Sequence, residues 1–170
     1  MPAGASYRYG ETLSFRPVDP RTDARALIFF GRDLYIESLG DTRVFERDFG
    51  PKGARFAQWI SSCAADSRDF ASFLTENGEP IGLVVLGRDP RERTLGRVHH
   101  FYVVPSHRGQ GFGGLLDDYA RDTLKSAGCL RARLNVAAGN ARAIRFYAAQ
   151  GWSEIRRRGP SVLRYMEVAL

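Results

Sequence analysis

The chain has 170 residues, 44% hydrophobic and 26% charged. That is the length and balance of one soluble domain, which buries roughly 70% of its unfolded surface and needs no disulfide or metal staple. Two cysteines, Cys63 and Cys129, exclude a disulfide scaffold, and no apolar run approaches the ~20 residues of a membrane span. The net charge of +6, carried by 23 arginines and only two lysines, invites an anion- or nucleic-acid-binding reading.

Residues 1–11 are small, polar and glycine-containing, a loose N-terminal tail ahead of a single domain over 12–170. They lack the apolar centre of a secretory leader, which with the free cysteines sets the expectation of a cytoplasmic protein. Thr12–Arg16 alternates as a short strand. Asp23 opens a helix whose apolar residues include Leu27, Ile28, Leu34 and Tyr35, and Gly40 stops it. Residues 41–52 read as a loop, and a second helix follows with Phe56, Trp59, Ile60 and Cys63 on one face. Asp69–Glu76 and Ile81–Leu86 read as strands joined by a turn at Asn77-Gly78. Gly96–Val104 is a third strand of this run, closed by Pro105. Gly111–Ala127 is a helix, Arg131–Val136 a strand, and Asn140–Gln150 a helix ended by Gly151. Trp152–Arg157 and Val162–Val168 close the chain as a pair of strands. Interleaved helices and hairpins predict one α/β domain with a mixed, mostly antiparallel sheet of about seven strands flanked by about four helices.

The densest signal is Val103-Val104-Pro105-Ser106-His107-Arg108-Gly109-Gln110-Gly111-Phe112-Gly113-Gly114. Here a strand runs through a glycine-rich turn into a helix. Glycines let an anion approach the main chain, and the helix start offers unpaired N–H groups. Together they make a phosphate cradle, with Arg108 adding a cation at its mouth. Gly109-x-Gly111-x-x-Gly114 also fits a dinucleotide fingerprint, but no carboxylate follows at the end of the next strand, Asn135 to Gly139. A Walker A lysine is absent as well.

The neighbours discriminate further. Arg108-x-x-Gly111-x-Gly113 follows Val103-Val104-Pro105, and Asn140-x-x-Ala143-x-x-Phe146-Tyr147-x-x-x-Gly151-Trp152 comes about thirty residues later. This combination resembles the GNAT superfamily of N-acetyltransferases, most specifically over residues 96–152. The resemblance implies a sheet splayed between its fourth and fifth strands and acetyl-CoA as co-substrate. It implies that the main chain of Arg108, Gly109, Gln110, Gly111, Phe112, Gly113 and Gly114 holds the pyrophosphate. The edge of the preceding strand, with Tyr102, Val103 and Val104, would pair with pantetheine, and a main-chain N–H near Val103 would polarise the thioester.

Asn140 matches the residue that holds the pantetheine arm and also reads as a plain helix N-cap. Tyr147 matches the general acid, and its helical spacing also suits core packing. The strand before the turn has no glutamate to serve as base. His99 is the candidate, sharing strand parity with Phe101 and Val103, while His100 should face the other side of the sheet. A bulge would exchange the two. Histidines that alternate on a strand do not form a metal site, so no metal is expected.

The acceptor is expected to be a primary amine, on a small molecule rather than a peptide. The resemblance implies an acceptor site between the first helices and the late hairpin, where the acids Asp33, Glu37, Asp41, Glu46 and Asp48 and the turn Arg156-Arg157-Arg158-Gly159-Pro160 lie. The interleaved Arg32, Arg43 and Arg47 favour a solvated helix face for the acids. The arginines are dispersed and form no recognisable nucleic-acid module, so neither nucleic acid nor membrane is expected as a partner. A monomer or homodimer is expected. A catalytically silent acyl-CoA-binding protein is the competing reading.

Overall fold

The structure, a computed structural model, describes residues 8–9, 12–155 and 162–170. In chain order the elements are β1 (Arg8–Tyr9), β2 (Leu13–Pro17), α1 (Ala24–Leu39), α2 (Thr42–Phe49), α3 (Phe56–Cys63), β3 (Ala71–Glu76), β4 (Glu79–Arg88) and β5 (Leu95–Val103). Then come α4 (Phe112–Ser126), β6 (Arg131–Ala137), α5 (Ala141–Ala149), β7 (Ser153–Ile155) and β8 (Leu163–Ala169). The strands form one sheet of order β1-β2-β3-β4-β5-β6-β8-β7. Every neighbouring pair is antiparallel except β5 and β6, which are parallel. No helix of the described residues is long and apolar enough to cross a membrane.

Alternation along the central strands builds two cores. Val84 and Leu86 of β4 join Val98, Leu116, Leu134 and Trp152 beneath α4 and α5. Leu83 and Val85 join Phe30, Phe45, Phe56 and Phe73 beneath α1, α2 and α3. Because β4 is covered on both faces, it reads as a continuous apolar run rather than an alternating one. The hairpin turn behaves as its sequence predicts, with Asn77 at φ 51° and Gly78 at φ 87°, the left-handed pair that a two-residue turn requires.

Two readings of the N-terminal half are corrected. The expected tail contributes Arg8–Tyr9 to the sheet as a short edge strand on β2. The expected loop over 41–52 contains α2. Asp41 accepts the N–H of Arg43 as its N-cap, and Phe45 and Phe49, one turn apart, are buried. The charged residues between those two phenylalanines masked the period. Gly31 admits this packing: a Cβ there would lie 2.7 Å from the Phe56 ring and 2.8 Å from that of Phe45.

Two irregularities of β5 shape the surface around it. It pairs with β6 only from Leu95↔Arg131 to Val98↔Leu134, and beyond this fork the strands diverge. Its pairing with β4 also slips: Val85 lies opposite His100 but Leu86 opposite Val98, so His99 is the extra residue of a β-bulge.

Candidate active site

The glycine-rich turn closes the gap between β5 and β6. A single 3-10 turn at Pro105–His107 follows β5, and the chain then passes through Gly109 at φ 81° and Gly111 at φ 87° into α4. Gly111 is the N-cap of α4 and has no side chain to satisfy the first N–H groups of the helix. A Cβ on Gly109, Gly111 or Gly114 would meet nothing within 4 Å, so no other residue packs against these glycines, while the Gly114 N–H already donates to the Gly111 carbonyl at 2.9 Å. Gly113 differs, since its Cβ would press on the Phe146 ring at 3.1 Å.

Arg108 does not present its charge to this mouth. Its guanidinium turns toward α1, bonding Asp33 at 2.8 Å and Glu37 at 3.0 Å, while Nε donates to the carbonyl of Val103 at 2.9 Å. The same Asp33 accepts the hydroxyl of Tyr102 at 2.7 Å. Arg108 therefore ties α1 to the turn. The attraction for an anion rests on main-chain amides and the helix end.

Main-chain direction decides what lines the gap. Val104 N–H donates to the Ile81 carbonyl at 2.9 Å. Peptide groups alternate sides along a strand, so Tyr102 and Val104 direct theirs at β4, whereas Phe101 and Val103 direct theirs into the gap. Of the three strand residues expected to line it, only Val103 does so through its main chain, and Phe101 joins it. The Val103 carbonyl is taken by Arg108, and its N–H is directed into the gap.

Tyr147 of α5 stands on the α4–α5 face of this gap, its ring 6.1 Å from that of Phe101 and 5.9 Å from that of Trp152. Desolvation, reinforced by the Asp117 carboxylate, holds its hydroxyl well above the usual phenol range. It is a protonated donor at neutral pH. Asp117 was not singled out from sequence. Buried in α4, it accepts from Trp152 Nε1 at 2.8 Å and Arg121 Nε at 2.6 Å, and Arg121 in turn holds the Gln150 carbonyl at 2.6 Å. These bonds fix the end of α5 that carries Tyr147. The i,i+4 Asp117–Arg121 spacing was the available signal. Asn140 caps α5, its Oδ1 accepting the N–H of Ala143 at 3.0 Å.

The bulge overturns the expected division of the histidines. Both rings pack on the α3 side, with His99 5.5 Å and His100 5.1 Å from Trp59. His100 lies among Tyr35, Phe56 and Trp59, and its Nε2 is sealed with no hydrogen-bond partner among the described residues. Burial pushes it down to about 3. His99 is also held below the ordinary imidazole value, by desolvation first and then by the Arg97 charge, although its exposed edge lets water screen part of the effect. His99 is thus a neutral imidazole beside the fork, on the face opposite Tyr147.

On that face a cavity of about 500 Å³ opens at the fork, lined by Arg88, Asp89, Arg97, His99, Arg133 and Asn135 among others. Of the acids expected to meet the acceptor, Asp33 and Glu37 are engaged by Arg108, Asp41 caps α2, and Asp48 pairs with Arg47; none of them lines this cavity. The Arg156–Pro160 turn lies outside the described residues. No cluster of His, Cys, Asp or Glu suited to a metal occurs among the described residues.

Residues 32–152 match the acetyltransferase (GNAT) family. The chain belongs to that family. An uncharacterised N-acetyltransferase of Methanocaldococcus jannaschii is 29% identical over 127 residues, 72% of this chain and 54% of its own length. The chain thus spans about half of that curated relative. The GNAT fold recurs in the PaiA N-acetyltransferase of Thermoplasma acidophilum, solved with coenzyme A. That structure is 17% identical, covers 94% of this chain and 99% of its own, and has a TM-score of 0.77. It recurs in the putative acetyltransferase yncA of Salmonella typhimurium, solved with acetyl-CoA, which is 18% identical, covers 94% of each chain and has a TM-score of 0.69. The span matched to the GNAT family holds the turn, the gap strand, both histidines and Tyr147.

Proposed function

We propose that this protein is an N-acetyltransferase that moves an acetyl group from acetyl-CoA to a primary amine by direct attack in a ternary complex. The observation that carries this reading is the gap between β5 and β6. It is lined by outward-facing Phe101 and Val103 peptides, and the strand that borders it leads into the glycine-rich turn, where nothing packs against Gly109 or Gly111 at the start of α4. A diphosphate on that turn leads an extended pantetheine arm down the gap, where strand-like peptides pair with its amides. The residues over 12–170 act as one acyltransferase domain.

The two faces of the gap divide the chemistry. The acceptor enters beside His99, whose neutral imidazole takes a proton from the ammonium, directly or through water. The freed nitrogen lone pair attacks the thioester carbon. A gap-facing N–H, that of Val103 or Phe101, holds the oxyanion. The C–S bond then breaks, the electron pair leaves on sulfur, and the Tyr147 hydroxyl protonates the thiolate from the opposite face; the nitrogen, cationic after attack, releases its second proton to water, and water returns a proton to the Tyr147 phenolate. The products are an N-acetyl amide and free coenzyme A.

The test is acetyl-CoA binding by calorimetry together with free-thiol release over a panel of amines. Saturable binding with amine-dependent thiol release supports the reading. Absence of acetyl-CoA binding refutes it, and binding without turnover assigns the chain to silent acyl-CoA sensing.

A further inference from the structure

The fork between β5 and β6 has an electrostatic feature that the acyl-transfer chemistry does not use. Arg97 of β5 and Arg133 of β6 are register partners, one rung before the last pair, Val98↔Leu134. Like charges directly across a strand pair are destabilising unless something offsets them. Two carboxylates do so in part. Asp89 receives Arg97 Nε at 3.1 Å and Nη2 at 2.6 Å, and Glu167 receives Arg133 Nε at 3.1 Å and Nη2 at 2.6 Å.

These pairs hold the two guanidiniums in place without exhausting them. A guanidinium carries five N–H donors, and neither Arg97 nor Arg133 spends its Nη1 group on a partner among the described residues. The carboxylates, by contrast, are committed. The second oxygen of Asp89 accepts the N–H groups of Arg91 and Glu92, and that of Glu167 accepts Arg131. Both arginines line the cavity of about 500 Å³ that also holds His99 and Asn135. Arg91, in the same lining, has no side-chain partner among the described residues. The volume is that of a small-molecule site. The Phe101 peptide lies only three residues beyond Val98, about 10 Å of strand, so the cavity adjoins the reacting end of the gap.

Resting on the acyl-transfer reading above, we propose that the acceptor is a small amine that carries a carboxylate, bound at the fork by Arg97 and Arg133. The carboxylate bridges the two spare guanidinium edges and relieves their mutual repulsion. It leaves the amine end to reach His99 and the thioester. A purely cationic acceptor such as a polyamine finds no spare carboxylate at these two arginines, since Asp89 and Glu167 are already engaged, and is disfavoured. Occupancy also counters the Arg97 charge that now holds His99 down, which makes the imidazole a stronger base when the acceptor is present.

The experiment uses the full chain with saturating acetyl-CoA and reads free thiol. Acceptors are matched pairs that differ only in the acid group: β-alanine against 3-aminopropanamide, and 4-aminobutyrate against 4-aminobutanamide. Butylamine, spermidine and a capped peptide with a free amino terminus complete the panel. The expected result is a kcat/KM at least about tenfold higher for the carboxylate member, the size of one charge-assisted hydrogen bond. Arg97→Gln and Arg133→Gln should each raise KM for the carboxylate acceptor about tenfold and erase the preference, with acetyl-CoA affinity by calorimetry unchanged.

A measurement on the wild type alone stands beside the variants in case either fails to fold: butyrate should inhibit competitively against the amine. Amides turned over as well as acids, preference for spermidine or the peptide, a preference that survives both substitutions, or no inhibition by butyrate each overturns the inference. So does binding of acetyl-CoA with no turnover of any carboxylate-bearing amine. Loss of acetyl-CoA binding in the wild type instead refutes the acyl-transfer reading itself.

Discussion

His100 offers a quantitative test of how the aromatic face of the sheet is built. Its ring lies among Tyr35, Phe56 and Trp59 with Nε2 sealed and unpartnered, and burial lowers it from an ordinary 6.5 to about 3. Between those two values the unfolded chain binds a proton that the folded chain refuses. Unfolding therefore takes up one proton, and stability falls as pH is lowered through this window, at about 1.4 kcal/mol per pH unit. From about pH 7.5 to about pH 4.5 the single residue should remove about 2.7 kcal/mol. His100→Phe deletes this proton uptake and leaves the other titrating groups, His99 included, in both proteins. Urea unfolding at about pH 7.5 and about pH 4.5 measures the difference. The wild type should lose about 2–3 kcal/mol more than the variant on acidification. The variant should also keep acetyl transfer, because His99, not His100, lines the cavity. Equal acid sensitivity of the two proteins would refute the buried neutral imidazole.

Three further outcomes are expected. Tyr147→Phe should lower kcat about a hundredfold or more while acetyl-CoA affinity stays within about threefold, as loss of a general acid requires, and unchanged kcat would return Tyr147 to a packing role. Gly111→Glu should abolish acetyl-CoA binding by calorimetry, because it puts a carboxylate at the open mouth of α4 at a residue with φ 87°; retained affinity in a folded variant would remove the cradle. Asp117→Ala should cost about 2–4 kcal/mol in urea unfolding, since Trp152 Nε1 and Arg121 lose their acceptor, and a cost below about 1 kcal/mol would show that this cluster does not anchor α5.

Local features of the chain were legible where one residue dictates one geometry. Asn77-Gly78 allowed only a left-handed turn, Gly109 and Gly111 marked the strand-to-helix turn, and the apolar run Ile81–Leu86 marked β4 as a strand. The α2 helix was not legible, because its two buried positions, Phe45 and Phe49, are outnumbered by charges and flanked by loop-forming residues. The directions of the Arg108 and His100 side chains are not legible in the sequence, for a common reason. A side chain's direction depends on partners distant in sequence. Asp33 and Glu37, more than seventy residues upstream, turn Arg108 away from the mouth. One inserted residue opposite Val85 and Leu86 brings His99 and His100 to the same face.

The sequence by itself determined the order of elements from β3 onward, the position of the glycine-rich turn and the helix that carries Tyr147, since glycine conformation, caps and periodicity act over a few residues. Tertiary structure decided which peptide groups face the gap, because pairing with β4 sets their alternation. It also decided which imidazole meets solvent, through the bulge in β5. Above all it placed Arg97 against Arg133. These residues lie far apart in the chain and look like two more surface charges until parallel pairing makes them neighbours at the fork. The positive charge of the composition thus resolves into many arginines held by local carboxylates and one opposed pair that lines a cavity.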